Sequence, residues 1–414
     1  MTLQSKDERN YVTRVLSTNA YSTPWTSTAA KRADGAQLPS NMPCEDRFNP
    51  FRPFPLWGEE DWIVGAIFDG HSGSQLAVYL EEHLLKSLQE RLDSLGPPSR
   101  TDDIIQSTIE KCFTDMDDSI IEDYRSCTRK KRLALSEKIR IMQRAMAGSC
   151  ALVTLYNPAT RTLYTACTGD SRAVLSVQKS DGTWDAIALS EDQGASNEAE
   201  HARVRAEHPG ELGIIKDGRL MGLGVCRAFG NFPLKSTYEE QLELGKRFMA
   251  NKPDEEDQYL TPPYLTAKPV VTIRKLEDQQ SAFLVMGCDG LWDNCENWEV
   301  TDLVVRWLEE QPECRLREMG MTLVPTPDTV WWKQGFLSEI TYAPGFDFLE
   351  RWNLFDVRFR SERTVIEDLD NVAVHLLRNA CGGDHEELLS GKLAFQPPGS
   401  RLVRDDMTIQ VLFF

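Results

Sequence analysis

Residues 149–178 read SCALVTLYNPATRTLYTACTGDSRAVLSVQ. Ser149–Tyr156 and Thr162–Thr168 are rich in apolar, β-branched and aromatic residues, and Asn157-Pro158 between them marks a hairpin turn. Arg172–Gln178 and Asp185–Leu189 continue the pattern, so consecutive strands run antiparallel. Working outward, WIVGAIFD (62–69) is a short apolar run ending at Asp-Gly, a buried strand followed by a turn. Val270–Arg274, Phe283–Cys288 and Met407–Phe413 read as later strands. Leu76, Leu80, Leu84 and Leu88 recur every four residues, which predicts a helix with one apolar face. Ile105, Ile109, Cys112, Phe113, Met116 and Ile120 predict a second, and further amphipathic helices fall around Val300–Leu308 and Leu369–Ala380. Hairpin-connected strands with helices grouped before and after them define an α+β fold of antiparallel sheets covered by helices, not a βαβ one.

The chain of 414 residues, 41% of them hydrophobic, can bury a sizeable core. It reads as one domain, 1–414, with insertions at 236–260 and 314–361. The first insertion is charged and predicted helical. The second is crowded with Trp331, Trp332, Phe336, Tyr342, Phe346, Phe348 and Trp352, which form either a local satellite core or a lid that contacts a partner or substrate. With 46 basic and 64 acidic residues the net charge is −18, which argues against a nucleic-acid partner. The ten cysteines contain no CxxC pair, and several sit in apolar runs as small buried hydrophobes. No apolar stretch is long enough for a membrane span. The N-terminal MTLQSKDERNYVTRVLS has no apolar segment of a secretory signal, and Asp7 and Glu8 are unsuited to a mitochondrial transit peptide, which leaves the cytoplasm as the expected location.

Aspartates recur beside glycine at strand ends: Asp69-Gly70 after IVGAIF, Asp170 after Gly169, and Asp289-Gly290 after AFLVMGC. Asp405-Asp406 precedes the last strand, and Glu45-Asp46 precedes Arg47-Phe48. One Asp-Gly pair is usually a turn. Several, each bounding an apolar strand, can converge at one sheet edge, where the carboxylates repel unless cations neutralise them. Oxygen donors with room for water suit Mg²⁺ or Mn²⁺, and two such ions acidify a bridging water and polarise a phosphoryl oxygen. His71 directly follows Asp69-Gly70, placed to protonate a leaving alkoxide. A zinc site, a GxSxG serine hydrolase and a P-loop all lack their sequence signatures here.

The stretches CEDRF (44–48), FDGHSG (68–73), AGSCALV (147–153), TGDSRAVL (168–175), LMGLGVCRAFGN (220–231), MGCDGLWDN (286–294) and RDDMTIQV (404–411) together resemble the PP2C family of metal-dependent Ser/Thr protein phosphatases. Within it, VLSTNAYS (15–22), LPSNMPCEDRF (38–48), NEAEHARVRAEHPGE (197–211) and TPPYLTAKPVVTIRKL (261–276) are similar to the pyruvate dehydrogenase phosphatase branch. The resemblance implies a central antiparallel β-sandwich flanked by helices on both sides. It implies two Mg²⁺ or Mn²⁺ ions, one held by Glu45, Asp69 and the Gly70 carbonyl, the other by Asp69, Asp289 and Asp405. Asp46 would orient water and His71 would be the general acid. The implied substrate is a phosphoprotein, within this branch a pyruvate dehydrogenase component, and the implied location the mitochondrial matrix.

Three positions depart from the family pattern. Asn41 stands where many members place an arginine and is the candidate substrate contact. Asn231 stands in place of the aspartate linked to a third, weaker metal, which should bind less well. Gln193 replaces a histidine after Asp192. Asn231 and the aromatic insertion keep two alternatives open: a small phosphorylated metabolite or diphosphate as substrate, or a binding protein without turnover.

Overall fold

The computed structural model describes residues 6–25, 30–58, 62–127, 130, 132–211, 213–248, 260–277, 280–324, 365–397 and 399–414. In chain order the strands are β1 (Tyr21–Pro24), β2 (Arg32–Leu38), β3 (Arg47–Pro53), β4 (Ile63–Phe68), β5 (Gly70–His71), β6 (Gly148–Ser149), β7 (Ala151–Asn157), β8 (Thr162–Thr168), β9 (Arg172–Gln178), β10 (Trp184–Ala188), β11 (Ile215–Lys216), β12 (Arg219–Leu220), β13 (Phe229–Gly230), β14 (Val270–Lys275), β15 (Ala282–Gly287) and β16 (Met407–Phe413). One six-stranded sheet has the order β1-β2-β16-β15-β9-β10, and a five-stranded sheet the order β14-β8-β7-β4-β3. Every pairing in both is antiparallel. The 149–178 stretch forms β7, β8 and β9 as expected, with β7 and β8 joined as a hairpin around Asn157-Pro158.

Side chains alternate between the two faces of a strand. In β4, Ile63 and Ile67 turn into the space between the sheets, where they meet Leu152, Leu163, Leu175, Leu284 and Met286. Val64, Ala66 and Phe68 turn outward to Leu76, Leu80, Leu84, Leu88, Ile109 and Phe113 of the helices Gln75–Asp93 and Asp102–Cys127. Likewise Leu284 and Met286 of β15 point between the sheets, whereas Phe283 and Val285 face the helices Asn297–Glu309 and Val372–Ala380. A strand covered on both faces needs apolar residues at every position, which is why the strands read as unbroken apolar runs. Each leucine buried this way contributes roughly 1.5–3 kcal/mol. The result is the expected α+β sandwich with helices on both sides.

Several boundaries differ from the sequence reading: Ser149, read as the start of the first strand, falls in the separate short β6, so that β7 begins at Ala151, and β10 runs one residue earlier than expected. The helix expected from Leu369 begins at Val372, because Asn371 caps it: its Oδ1 accepts from Val374 N (3.0 Å) and its Nδ2 donates to Tyr21 O (2.8 Å). The strand expected to reach Cys288 stops at Gly287, because Cys288 is the N-cap of the helical turn Asp289–Trp292. In the charged segment 236–260 a helix runs from Tyr238 to Phe248. The aromatic cluster Trp331–Trp352 lies outside the described residues. Among the described residues no helix is long and apolar enough to cross a membrane.

The strand registers place the acidic positions together. Arg47, which opens β3, lies opposite Phe68, which closes β4. Ala151 at the start of β7 faces Thr168 at the end of β8, and β7 also pairs with β4 through Leu152 and Ile67. Gly287 at the end of β15 faces both Ile409 near the start of β16 and Arg172 at the start of β9. All these ends fall on one edge of the sandwich, and all but the start of β7 are followed or preceded by one of the aspartates.

Candidate metal centre

One carboxylate oxygen from each of Asp69, Asp170 and Asp289 lies within 4.8 Å of the other two. Asp46, Asp69 and Cys288 bring a second trio of donor atoms together within the same limit. Asp69 is therefore the shared member. Burial, then the nearby Asp289, Asp46 and Asp170, pushes its carboxyl well above the ordinary range. Asp289 is raised in the same way, by burial and then by Asp170, Asp293 and Asp46. Burial is also the main cause that lifts Asp170 to about 6, and burial followed by Asp406 lifts Asp46 to about 7. Each shift expresses one conflict: anionic oxygens crowded away from water without a counter-charge.

The donor set fits a divalent cation. Asp69 Oδ2 is buried and has no hydrogen-bond partner among the described residues. The donors are hard carboxylate oxygens, the ligands of Mg²⁺ and Mn²⁺. Cys288 does not alter this. Burial pushes its thiol up, so it stays protonated, and its Sγ donates to Asp406 O (3.3 Å) and accepts from Thr408 N (3.1 Å).

Neighbouring polar groups hold the acidic turns. Asp406 binds the loop before β3: its carboxylate accepts from Ser40 N and Oγ, from Asn41 N (3.1 Å) and from Glu45 N (2.8 Å). Burial works to raise the Asp406 carboxyl, but these donors outweigh it and hold it below the usual range. Within that loop, Glu45 accepts from Gly73 N (2.5 Å) and from Asn41 Nδ2 (2.7 Å). Asp46 accepts from Thr408 Oγ1 (2.6 Å). Gln193 secures the turn that carries Asp170: its Oε1 accepts from Gly169 N (2.8 Å) and its Nε2 donates to Cys167 O (3.0 Å). His71 Nε2 lies 2.9 Å from Asn231 Oδ1, and burial pushes the imidazole pKa down.

The comparisons with known proteins bear on this arrangement. Residues 39–319 match the family described as Protein phosphatase 2C. This chain belongs to the protein phosphatase 2C family. A "[Pyruvate dehydrogenase [acetyl-transferring]]-phosphatase 1, mitochondrial" of Saccharomyces cerevisiae is 32% identical over all of this chain and 71% of its own length. A protein phosphatase 2C homolog of Schizosaccharomyces pombe is 32% identical over 92% of this chain and 80% of that one. The human protein of the same name as the budding-yeast relative is 28% identical over 92% of this chain and 77% of its own. The solved serine-threonine phosphatase 2C of Toxoplasma gondii shares the fold, with a TM-score of 0.50 at 16% identity, covering 95% of this chain and 99% of that one. The chain is thus a metal-dependent protein serine/threonine phosphatase, similar to the pyruvate dehydrogenase phosphatases.

Within this phosphatase 2C frame, the residues singled out from the sequence separate into groups. Asp46, Asp69 and Asp289 converge, and Gly70 and His71 form β5 directly beyond Asp69. Asp405 opens the approach to β16, paired with Arg401 and accepting from Asp406 N (2.7 Å). Asn41 has its amide on Glu45, and Asn231 has its amide oxygen on His71. The sequence-based ligand set left out Asp170, although Gly169-Asp170 carries the same glycine-flanked, strand-end signature as Asp69 and Asp289. It also gave no separate role to Asp406, the carboxylate that binds the Glu45 loop.

Proposed function

We propose that this phosphatase removes phosphate from phosphoserine or phosphothreonine on a pyruvate dehydrogenase component in the mitochondrial matrix, using two Mg²⁺ or Mn²⁺ ions. The observation that carries the metal reading is the convergence of Asp69, Asp170 and Asp289 around a buried carboxylate oxygen that lacks any partner. The substrate and location are supported by similarity to relatives of that name. Glu45, Asp69, the Gly70 carbonyl, Asp289 and Asp405 would hold the ions, and the geometry adds Asp170. When bound, divalent cations supply Lewis acidity, polarising phosphoryl oxygen and acidifying water.

The chain's own groups supply the rest. Asp46, buried and accepting from Thr408, is placed to orient water at the edge of the carboxylate group. Asn41 donates to Glu45 and so holds it in place, and it is the candidate contact with phosphate. His71, whose burial keeps it from carrying a permanent charge, is placed to deliver a proton to the departing serine or threonine oxygen. The aspartate-to-asparagine change at position 231 sets that side chain on His71 in place of a third cation. The whole chain is taken as one phosphatase domain with insertions at 236–260 and 314–361.

The experiment is an assay on p-nitrophenyl phosphate, a phosphothreonine peptide and phosphorylated pyruvate dehydrogenase, with Mn²⁺, with Mg²⁺ and with chelator. Release of phosphate that vanishes with chelator, and is much faster on the dehydrogenase than on an unrelated phosphoprotein, is the expected result. Equal rates on both phosphoproteins refute the substrate assignment, and release that persists in chelator refutes the metal site.

A further inference from the structure

The three short strands β5, β6 and β13 form a sheet of their own, with β6 in the middle. Gly148 of β6 pairs with His71 on one side and with Gly230 on the other. Asn231, next after Gly230, takes the left-handed conformation (φ 52°, ψ 52°), which asparagine tolerates better than most residues. From there its side chain crosses Gly148 to reach His71, and a Cβ at Gly148 would overlap both His71 Nε2 and Asn231 Oδ1. With Nε2–H donating to that amide oxygen, Nδ1 is the ring nitrogen left to meet substrate, and in the imidazolium form it carries the proton that is delivered, leaving the neutral Nε2–H tautomer.

What fixes Asn231 lies outside the carboxylate site. Its own amide donates to Ala147 O (2.9 Å). The Gly230 amide donates to Asp117 Oδ1 (2.7 Å). Lys235 Nζ donates to Asp117 Oδ2 (2.5 Å) and to Ala228 O (2.8 Å). Both charged side chains are buried, at 8% and 5% exposure. An ion pair taken out of water seldom stabilises a fold more than an apolar pair would, so its presence here points to a fixed geometry rather than to stability.

We propose that Asp117 and Lys235 are positioning residues for the phosphatase reaction. From the helix Asp102–Cys127, Asp117 holds Gly230 and Lys235, and Lys235 ties back to Ala228, so that residues 228–235 are clamped, Asn231 keeps its hydrogen bond to His71 and the imidazole is oriented for proton delivery. The inference rests on His71 being the general acid, so the test includes that residue. Three enzymes are compared with wild type: Asp117→Leu/Lys235→Met, which removes both charges and leaves neither unpaired; Asn231→Ala, which touches no buried charge; and His71→Ala. Each is assayed for kcat and KM with Mn²⁺ on phenyl phosphate, whose leaving group needs a proton, and on p-nitrophenyl phosphate, whose leaving group departs readily as an anion.

General acid catalysis supplies ~10²–10⁴-fold, so a misaimed imidazole should cost ~10-fold or more in kcat on phenyl phosphate. The loss on p-nitrophenyl phosphate should be less than about threefold, with KM little changed on either substrate. Equal losses on both substrates in the clamp variant and in Asn231→Ala, beside a leaving-group-dependent loss in His71→Ala, overturn the clamp and leave the general acid standing. Equal losses in His71→Ala overturn the general-acid reading itself. Should the double variant fail to fold, equal losses on both substrates in Asn231→Ala still overturn the clamp, because it acts only through that side chain, and Lys235→Met alone then tests the clamp itself.

Discussion

Consider the metal-free protein with Asp69→Asn. The substitution keeps the shape of the side chain and removes the charge shared by both groups of donors. Two unit charges no more than 4.8 Å apart repel by at least about 3.5 kcal/mol at an effective dielectric near 20. The raised carboxyls of Asp69 and Asp289 mean that part of this repulsion is already relieved by bound protons. About 1–2 kcal/mol of it should survive near neutral pH. In chelator the variant should therefore be more stable than wild type by about 1–2 kcal/mol, the opposite of what most buried substitutions do.

With Mn²⁺ the order should reverse. Wild type gains about 2.7 kcal/mol for a site at a hundred times its dissociation constant, and a variant that binds poorly gains little. Phosphatase activity should fall ~10²-fold or more, the scale seen when one stabiliser of a developing charge is removed. Urea unfolding of both proteins, once in chelator and once in Mn²⁺, reads the crossing directly. If the variant is the less stable protein in chelator, by the ~1–3 kcal/mol typical of an orphaned hydrogen-bond partner, then Asp69 is a satisfied structural group and the repulsion argument is wrong.

Other outcomes follow from named contacts. Gln193→Leu removes the acceptor of the Gly169 amide and a donor to the Cys167 carbonyl, so stability should drop by ~1–3 kcal/mol. Because that turn carries Asp170, calorimetry should also show weaker Mn²⁺ binding, and unchanged affinity would separate Asp170 from the cations. His375 is wholly buried, faces the Glu367 and Leu303 carbonyls with Asp368 and Arg378 nearby, and burial lowers its pKa to about 4. Between about 6.5 and 4 the unfolded chain binds the proton and the folded one does not, so stability should fall with acid across that window, by up to about 3 kcal/mol. His375→Gln should flatten the pH dependence of the urea midpoint there, and an unchanged slope would assign the acid sensitivity elsewhere. Finally, chelator should speed hydrogen exchange at the Cys150, Gln193 and Cys288 amides, which bond to Asp69 O, Gly169 O and Thr408 O, and leave the middle of the β7–β8 hairpin protected. A response confined to one sheet would place the cations on that sheet alone.

The fold was legible because burial on both faces writes itself into the sequence as unbroken apolar strands, and the helices as four-residue leucine spacing. The acidic edge was legible for a related reason: one aspartate beside glycine at a strand end is usually only a turn, but the pattern recurs at Asp69, Asp170 and Asp289. Partnership across the chain was not legible. His71 and Asn231 are 160 positions apart and meet only because Gly148 pairs with both of their strands. Between the neighbours Asp405 and Asp406, local sequence offers no means of telling which one turns inward to the Ser40–Glu45 loop. Asp117 lies in DMDDSIIED, which reads as a solvated helix face. Yet it sits four residues from both Phe113 and Ile121, on the apolar side, and that spacing is the signal that marks it as buried.

The placement of the carboxylates across the sandwich gives the site a property that neither sheet could supply alone. Asp46 and Asp69 stand at the ends of β3 and β4 in the five-stranded sheet, and Asp289 and Asp406 at the ends of β15 and β16 in the six-stranded one. Asp170 occupies the turn by which the chain passes from β8 in the first sheet to β9 in the second. Apolar side chains between the sheets draw them together with no preference for register at the edge, since that attraction is non-directional. The aspartates oppose closure there, because bringing the sheets together crowds their charges. A cation held by both sheets turns that opposition into the strongest directional contact at the edge. If cations bind as proposed, the same residues that crowd charge at the metal-free edge would fix, once loaded, the relative position of Asp46, Asp69 and Asp289, and with Asp69 the position of His71 on the adjoining β5.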